Sequence, residues 1–83
     1  MFTNRTKSGR NNLVGVNIAK MRKQLHISQR EVSDRLQING LDIDKNAVQR
    51  IESGQRFITD IELVHLARLF SVSVSDLYEN TDE

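Results

Sequence analysis

Apolar residues recur every three or four positions along most of this chain, which is the spacing of amphipathic helices rather than of strands. Five such stripes follow one another: Val14, Ile18, Met21 and Leu25; Val32 and Leu36; Val48 and Ile51; Ile61, Val64, Ala67 and Leu69 or Phe70; and Val74, Leu77 and Tyr78. No proline interrupts them, and only four glycines occur. The pattern predicts an all-α, compact five-helix domain over residues 13–79, whose first helix ends near Leu25.

Polar residues at the ends of these stripes match helix-capping signals. A hydroxyl residue followed three positions later by an acid satisfies free amides at a helix start, and three such pairs occur: Ser28 with Glu31, Thr59 with Glu62, and Ser73 with Asp76. Asp44 is a favourable N-cap, and Gly54 can end a helix in the left-handed conformation. We therefore expect a second helix from Ser28 or Gln29 to about Gln37, and a third of about nine residues.

The segment QINGLDID, residues 37–44, separates the second and third helices. Its Asn39–Gly40 pair favours a turn over a continued helix. The apolar residues Ile38, Leu41 and Ile43 are expected to pack inward and to anchor this turn.

The length of 83 residues accommodates one small domain. The chain has no cysteine, and no apolar run approaches the roughly 18 residues that a membrane span requires. These features favour a soluble cytoplasmic protein that is stabilised by packing alone.

Positive charge is concentrated at the start of the chain, although the formal net charge is only +1. Residues 1–30 contain seven Lys and Arg and no acid, whereas all eleven Asp and Glu follow later. This asymmetry favours a face or arm that meets a polyanion; the alternative is a solvated helix surface with a polar tail. Residues 1–12 are polar and aperiodic and are predicted to form a flexible basic arm, and residues 80–83 form an acidic tail.

The stretch DIDKNAVQRIESG, residues 42–54, allows two interpretations. Its alternating Asp42, Asp44 and Asn46 resemble the start of an EF-hand calcium loop. Such a loop needs glycine at its sixth position for a sharp turn and a bidentate glutamate at its twelfth. Those positions hold Ala47 and Ser53. Calcium binding is therefore not expected, and no metal site is predicted.

Catalytic chemistry is not indicated either. His26 and His65 lie on different predicted elements and lack the spacing of a metal-binding pair. There is no glycine-rich phosphate loop, and the serines of the capping signals are interpreted as caps rather than nucleophiles. We expect neither an enzyme nor a cofactor.

The second interpretation of residues 42–54 is a helix that reads DNA. Its polar residues share one face, opposite Ala47, Val48 and Ile51; they are Lys45, Asn46, Gln49, Arg50 and Ser53. Arg and Lys bind guanine edges in the major groove, and Asn and Gln bind adenine. An ordinary exposed helix face would also be polar, but this one carries no acid although acids are common in this half of the chain. The composition therefore favours DNA reading.

Two longer segments resemble the Cro/repressor-type helix-turn-helix family, the lambda-repressor-like DNA-binding domains. They are VGVNIAKMRKQLHISQREVSDRL and NAVQRIESGQRFITDIELVHLARLFSVSVSDLY, and the resemblance covers about residues 13–79. Its specific motifs are I-S-Q at 27–29, I-E-x-G at 51–54 and V-S-x-x-x-L-Y at 72–78. The resemblance implies that the second and third helices form the helix-turn-helix, with the third in the major groove of double-stranded DNA.

Residue roles follow from this resemblance. It implies base reading by Lys45, Asn46 and Arg50, with Gln49 as their neighbour. The residues expected at DNA phosphates are Gln29, Arg30, Ser53, Gln55 and Arg56. It also implies an ion pair between Arg22 and Glu52, which would orient the reading helix.

Two features depart from the family's usual pattern. His26 stands where a glycine usually ends the first helix, so a non-glycine residue must close that turn. The turn between the second and third helices is lengthened by about five residues, which leaves open the angle at which the third helix enters the groove.

For the arm, two interpretations stay open. Arg5, Lys7 and Arg10 either reach around the duplex or into a minor groove, or belong to a disordered solubilising tail.

The expected function is sequence-specific binding of double-stranded DNA by a small phage or bacterial transcriptional regulator of the repressor type. Because family members commonly bind palindromic operators as dimers, a homodimer is implied, and Val74 and Tyr78 are the first candidates for its contact face. The alternative is a protein-interaction module, such as an antitoxin or anti-repressor, that acts through a partner protein.

Overall fold

The computed structural model describes residues 5–81, which fold into four α-helices and one short 3-10 helix. The α-helices are α1 Gly15–Gln24, α2 Gln29–Ile38, α3 Lys45–Ser53 and α4 Asp60–Leu69, and the 3-10 helix is Ser75–Tyr78. No strand occurs in residues 5–81, so the all-α prediction is confirmed. The expectations for residues 1–4 of the arm, and for Asp82 and Glu83 of the acidic tail, lie outside the described residues.

The predicted count of five α-helices is wrong, because the last element is a single 3-10 turn. The side-chain amide of Asn17, on α1, donates to the carbonyl oxygens of Leu77 and Glu79, each at 2.8 Å. These hydrogen bonds hold the end of this element against α1, and Glu79 has an extended backbone with ψ at 127°. The chain therefore leaves the helical path after one turn.

The core forms where α3 packs on α1 and α2 and where α4 packs on α2. Its buried residues are Val14, Ile18, Val32, Leu36, Ile43, Val48, Ile51, Leu66, Ala67, Phe70 and Leu77. α3 is thus fixed from behind on two sides, and its opposite face is left to solvent.

Two residues that were expected in the core are instead exposed at helix ends. Leu25 is 49% exposed because α1 ends at Gln24, where His26 closes the turn with a φ of 58°. Ile38 is 84% exposed, so its predicted inward packing is wrong. It is the last residue of α2 and lies off the stripe that Val32 and Leu36 form.

The buried face of α4 differs from the prediction in part, although Ala67 and Phe70 are buried as expected. It runs through Glu62, Leu66 and Phe70, which are spaced by four residues, while Ile61 is 63% exposed and Val64 39% exposed. Glu62 is turned inward by its own contacts: it completes the capping box with Thr59 and pairs with a neighbouring arginine. The apolar pattern could not predict this face because its first residue is charged.

Most of the predicted helix caps are formed. The Asp44 carboxylate accepts from the Ala47 amide at 2.8 Å, and Gly54 ends α3 with a φ of 84°. Ser28 accepts from the amide of Glu31 at 3.0 Å, but the Glu31 carboxylate pairs with Arg35 one turn further on, at 2.6 Å. This box is therefore formed on one side only.

The turn between α2 and α3 consists of residues 39–44. Because α2 continues to Ile38, the turn exceeds the usual three or four residues by about two or three, rather than by the five expected from the sequence. The Gln37 amide donates to the Ile43 carbonyl at 2.9 Å, and Ile43 is only 3% exposed. These contacts hold the start of α3 in place despite the longer turn.

Candidate nucleic-acid interface

One face of α3 is open to solvent along its whole length. The exposed residues are the ones that the sequence places there: Lys45, Asn46, Gln49, Arg50 and Ser53. On the opposite face Val48 and Ile51 are each 1% exposed. The side chains of the first four form no hydrogen bond or ion pair with another described residue, so their polar groups are available to a ligand. Asp44 caps the helix and Glu52 points behind it, which leaves this face without an acid.

A cleft lies between the outer face of α2 and the start of α3. It is lined by Arg30, Ser33, Asp34, Gln37, Asp44, Lys45 and Asn46. The fold thus brings one residue expected at phosphate together with two expected to read bases. It also places Asp34 in the cleft, which the sequence did not indicate. A carboxylate there disfavours phosphate and matches the amino group of cytosine.

Glu52 joins three parts of the fold behind α3. Its carboxylate accepts from Arg22 Nε at 2.7 Å and Arg22 Nη2 at 3.0 Å, and from the Gln29 amide at 3.0 Å. The side chains of Arg22 and Glu52 are only 14% and 8% exposed. The hydrogen bond to Glu52 raises the pKa of Arg22 despite the opposing effect of burial. The ion pair that the resemblance implies is therefore present, and it fixes α3 to α1 and to the start of α2.

Two of the residues expected at phosphate pair with glutamates, and the Ser53 hydroxyl donates to the Arg50 carbonyl at 3.3 Å. The Gln29 amide is directed to Glu52, as described above. Arg56 forms a two-pronged ion pair with Glu62, with Nη1–Oε1 and Nη2–Oε2 distances of 2.7 and 2.8 Å. The hydrogen bond to Glu62 raises the pKa of Arg56 above its ordinary value, although burial opposes it. Arg56 therefore ties the turn that follows α3 to α4. The other three residues expected at phosphate are exposed: Arg30, Ser53 and Gln55.

Burial alone would raise the pKa of Glu62, which is 7% exposed. Hydrogen bonds from Arg56 and from the Thr59 backbone outweigh this effect, so the pKa is lowered. Glu62 is thus held as a carboxylate that caps α4 and neutralises Arg56.

Residues 10–12, which were assigned to the flexible arm, instead contact the C-terminal end of α3. The Arg10 guanidinium donates to the Glu52 carbonyl at 2.7 Å, and the Asn12 amide donates to the carbonyls of Ile51 and Arg56 at 3.0 and 2.8 Å. Sequence reasoning missed these residues because backbone carbonyls carry no residue-type signal. Arg5 and Lys7 are exposed.

No helix within residues 5–81 is long and apolar enough to cross a membrane. The same residues contain no group of three or more His, Cys, Asp or Glu arranged to hold a metal ion.

Two helices joined by a turn, the second fixed from behind and open in front, define a helix-turn-helix DNA-binding unit. Comparison with known families agrees: residues 18–77 match the helix-turn-helix family, and the chain belongs to its Cro/repressor type. This is a family of DNA-binding regulators and not of enzymes. The protein is accordingly a DNA-binding transcription regulator whose partner is double-stranded DNA. No curated protein matches the sequence.

Proposed function

We propose that this protein is a sequence-specific repressor of the phage or bacterial type, which reads an operator by placing α3 in the major groove. The observation that carries the proposal is the exposed, acid-free face of α3, whose Lys45, Asn46, Gln49 and Arg50 make no hydrogen bond with other described residues. Long donors and amides on one helix face match the donor and acceptor pattern of base edges. Base reading is assigned to these four residues.

Phosphate contacts are assigned to Arg30, Ser53 and Gln55, and to Gln29 through the second N–H of the side-chain amide that also donates to Glu52. These residues flank the reading face at the start of α2 and the end of α3. Amide and guanidinium donors at these positions would set the register of α3 without reading sequence. Arg56 was expected to join them, but its guanidinium is engaged by Glu62. We assign Arg56 to positioning the turn after α3.

The proposal is tested by selecting bound duplexes from a random pool and then measuring Arg50→Ala. Loss of one bidentate base contact is expected to weaken the selected site by about 1–3 kcal/mol and to relax preference at one base pair. Arg68→Ala removes the same charge from an exposed position on α4 and serves as the control, with little expected effect. Equal losses on selected and random duplexes in Arg50→Ala would show that Arg50 does not read bases.

We further propose that the protein binds its operator as a homodimer through an apolar groove away from the reading face of α3. The groove is lined in part by Leu13, Phe57 and Tyr78, which are 40%, 57% and 40% exposed. Val74, on the same 3-10 helix as Tyr78, is 37% exposed. A clustered apolar surface of this kind favours a protein contact.

The same groove also supports the second candidate function, a module that acts by binding a partner protein. A salt titration on mixed-sequence duplex separates the two. DNA binding through phosphates makes log K fall steeply with log salt. Absence of binding at low salt would favour the protein partner.

A further inference from the structure

The C-terminal end of α3 is enclosed by a segment that precedes α1. Three consecutive residues, Arg10, Asn11 and Asn12, donate hydrogen bonds to the backbone carbonyls of residues 51, 52, 54, 55 and 56. The two shortest of these hydrogen bonds are both 2.7 Å long. Arg10 Nη2 donates one to the carbonyl of residue 52, and the backbone N–H of Asn11 donates the other to the carbonyl of residue 54. We call residues 10–12 the N-terminal brace.

The brace supplies hydrogen-bond donors to the carbonyl groups at the end of α3. The last carbonyls of a helix have no partner within it, and they carry the negative end of the helix dipole. Arg10 supplies both donors and a positive charge at this place. Gly54 allows the approach, because a β-carbon there would lie 2.8 Å from Cγ, Nε and Cζ of Arg10.

The brace is also fixed at its other end. The Asn12 side-chain oxygen accepts from the Gly15 amide at 2.8 Å, at the first turn of α1. Gly15 itself sits so close to α3 that a β-carbon would collide with the Ile51 carbonyl. The brace therefore connects the start of α1 to the end of α3 and fixes their relative position.

We propose that Arg10, Asn11 and Asn12 position the reading helix for base contact without touching DNA themselves. This inference rests on the proposed function, in which bases are read by residues of α3 from Lys45 to Arg50. Since the brace holds the far end of a nine-residue helix, a tilt of roughly 10° there moves the reading end by about 2 Å. The role differs from both earlier expectations for Arg10, a minor-groove contact and a disordered tail.

The experiment compares Arg10→Ala with Lys7→Ala, a matched loss of charge at an exposed position of the same segment. Affinity is measured against salt on a selected duplex and on a random duplex. Amide hydrogen exchange of Gln55 and Arg56, whose N–H groups bond to the Arg50 carbonyl, is measured in the DNA-free protein. If Arg10→Ala does not fold, Arg10→Lys and Asn12→Ala replace it.

We expect Arg10→Ala to bind the selected duplex about tenfold more weakly, which is the order of one lost bidentate base contact. Binding to random duplex and the salt slope should stay unchanged, and exchange at Gln55 and Arg56 should become faster. Lys7→Ala should leave that exchange unchanged. Arg10→Lys keeps the charge and should recover part of the loss, and Asn12→Ala should resemble Arg10→Ala.

Two results overturn the inference while leaving the proposed function intact. Equal weakening on both duplexes, with a salt slope reduced by about one, would mean that Arg10 binds a phosphate. Unchanged exchange together with unchanged affinity would mean that the brace does not hold α3. If instead the wild-type protein selects no duplex at all, the proposed function fails and the reading role fails with it, whatever the exchange shows.

Discussion

At the scale of single residues, Glu52 belongs to the more buried of two ion pairs that have similar distances. It accepts hydrogen bonds from both Arg22 and Gln29, and its side chain is 8% exposed. The Glu31–Arg35 pair on α2 has a similar distance, but both of its side chains are 46% exposed. Geometry alone does not separate these two pairs; burial does.

Glu52→Gln is expected to destabilise the protein by about 3 kcal/mol, because it leaves the Arg22 guanidinium buried without its counter-charge. Glu31→Gln, the control, should cost less than about 1 kcal/mol because water screens the exposed pair. Urea unfolding measures both. The double variant Arg22→Met with Glu52→Leu should lose less than Glu52→Gln. Similar losses for Glu52→Gln and Glu31→Gln would contradict this account.

Glu62 gives the stability of the protein a defined pH dependence. Its folded-state pKa is lowered from the usual 4.5, so the stability that it contributes is fully present above that value. This stability is lost as the pH falls through the lowered pKa. In Glu62→Gln the residue no longer titrates.

The expected result is that the free energy of unfolding falls less steeply below about pH 4.5 in Glu62→Gln than in the wild type. Glu79→Gln is the control, since this carboxylate is exposed and makes no hydrogen bond to a described residue. Its pH profile should follow that of the wild type. Parallel profiles for Glu62→Gln and the wild type would show that the ion pair with Arg56 does not stabilise the fold.

At the scale of elements, local signals in the sequence predicted helix ends well and helix faces less well. Asp44, Thr59 and Gly54 cap as expected because each acts on amides or dihedral angles within three residues. The face of α4 was predicted only in part: Ala67 and Phe70 are buried as expected, but Glu62 is buried by a pairing with Arg56, which apolar periodicity does not register. The brace could not be predicted at all, since Arg10 binds carbonyls that are about forty positions away in sequence. The exposed face of α3 was predicted because it depends only on helical spacing.

Two glycines separate the effect of backbone conformation from that of contact with the brace. Gly54 and Gly40 have similar φ values of 84° and 91°, but a β-carbon meets Arg10 at Gly54 and nothing within 4 Å at Gly40. Gly40→Ala should therefore cost only the left-handed strain, about 1–2 kcal/mol. Gly54→Ala should cost about 1–2 kcal/mol more, because Arg10 must give up its charge-assisted hydrogen bond.

Thermal or urea unfolding measures this difference, and Arg10→Ala supplies its control. In the Arg10→Ala background the side chain that meets the new β-carbon is gone, so the extra cost at Gly54 should disappear. Equal costs for the two alanine variants in the wild-type background would mean that Arg10 adapts without loss.

At the scale of the whole molecule, the cations of the first thirty residues do not form one polyanion-binding surface. Arg22 is neutralised by Glu52, and Arg10 is directed to the end of α3. The remaining ones are exposed: Arg5, Lys7, Lys20, Lys23 and Arg30. Of these, Arg30 shares the cleft with the start of α3. The charge asymmetry of the sequence therefore has two structural outcomes: part of the positive charge holds α3 in place, and part is exposed to solvent.

The last prediction concerns the proposed homodimer. A single chain has one reading helix and covers one half-site, so an operator with two half-sites needs two chains. Tyr78→Glu places a charge in the apolar groove, so the mass measured by sedimentation should fall to that of a monomer. Affinity for a duplex with two half-sites should then fall by a factor of about 10² or more, since the second contact is no longer intramolecular. Affinity for a single half-site should be unchanged, because Tyr78 lies outside the exposed face of α3 that is proposed to read bases.

Ile38→Glu is the control, because it introduces the same charge at a residue that is 84% exposed and lies outside the groove. It should sediment as the wild type does. A wild-type protein that sediments as a monomer, and binds one half-site as tightly as two, would refute the dimer. A Tyr78→Glu protein that remains dimeric would keep the dimer and move its contact face elsewhere. Because the two readouts are independent, the assembly and the surface that makes it are tested separately.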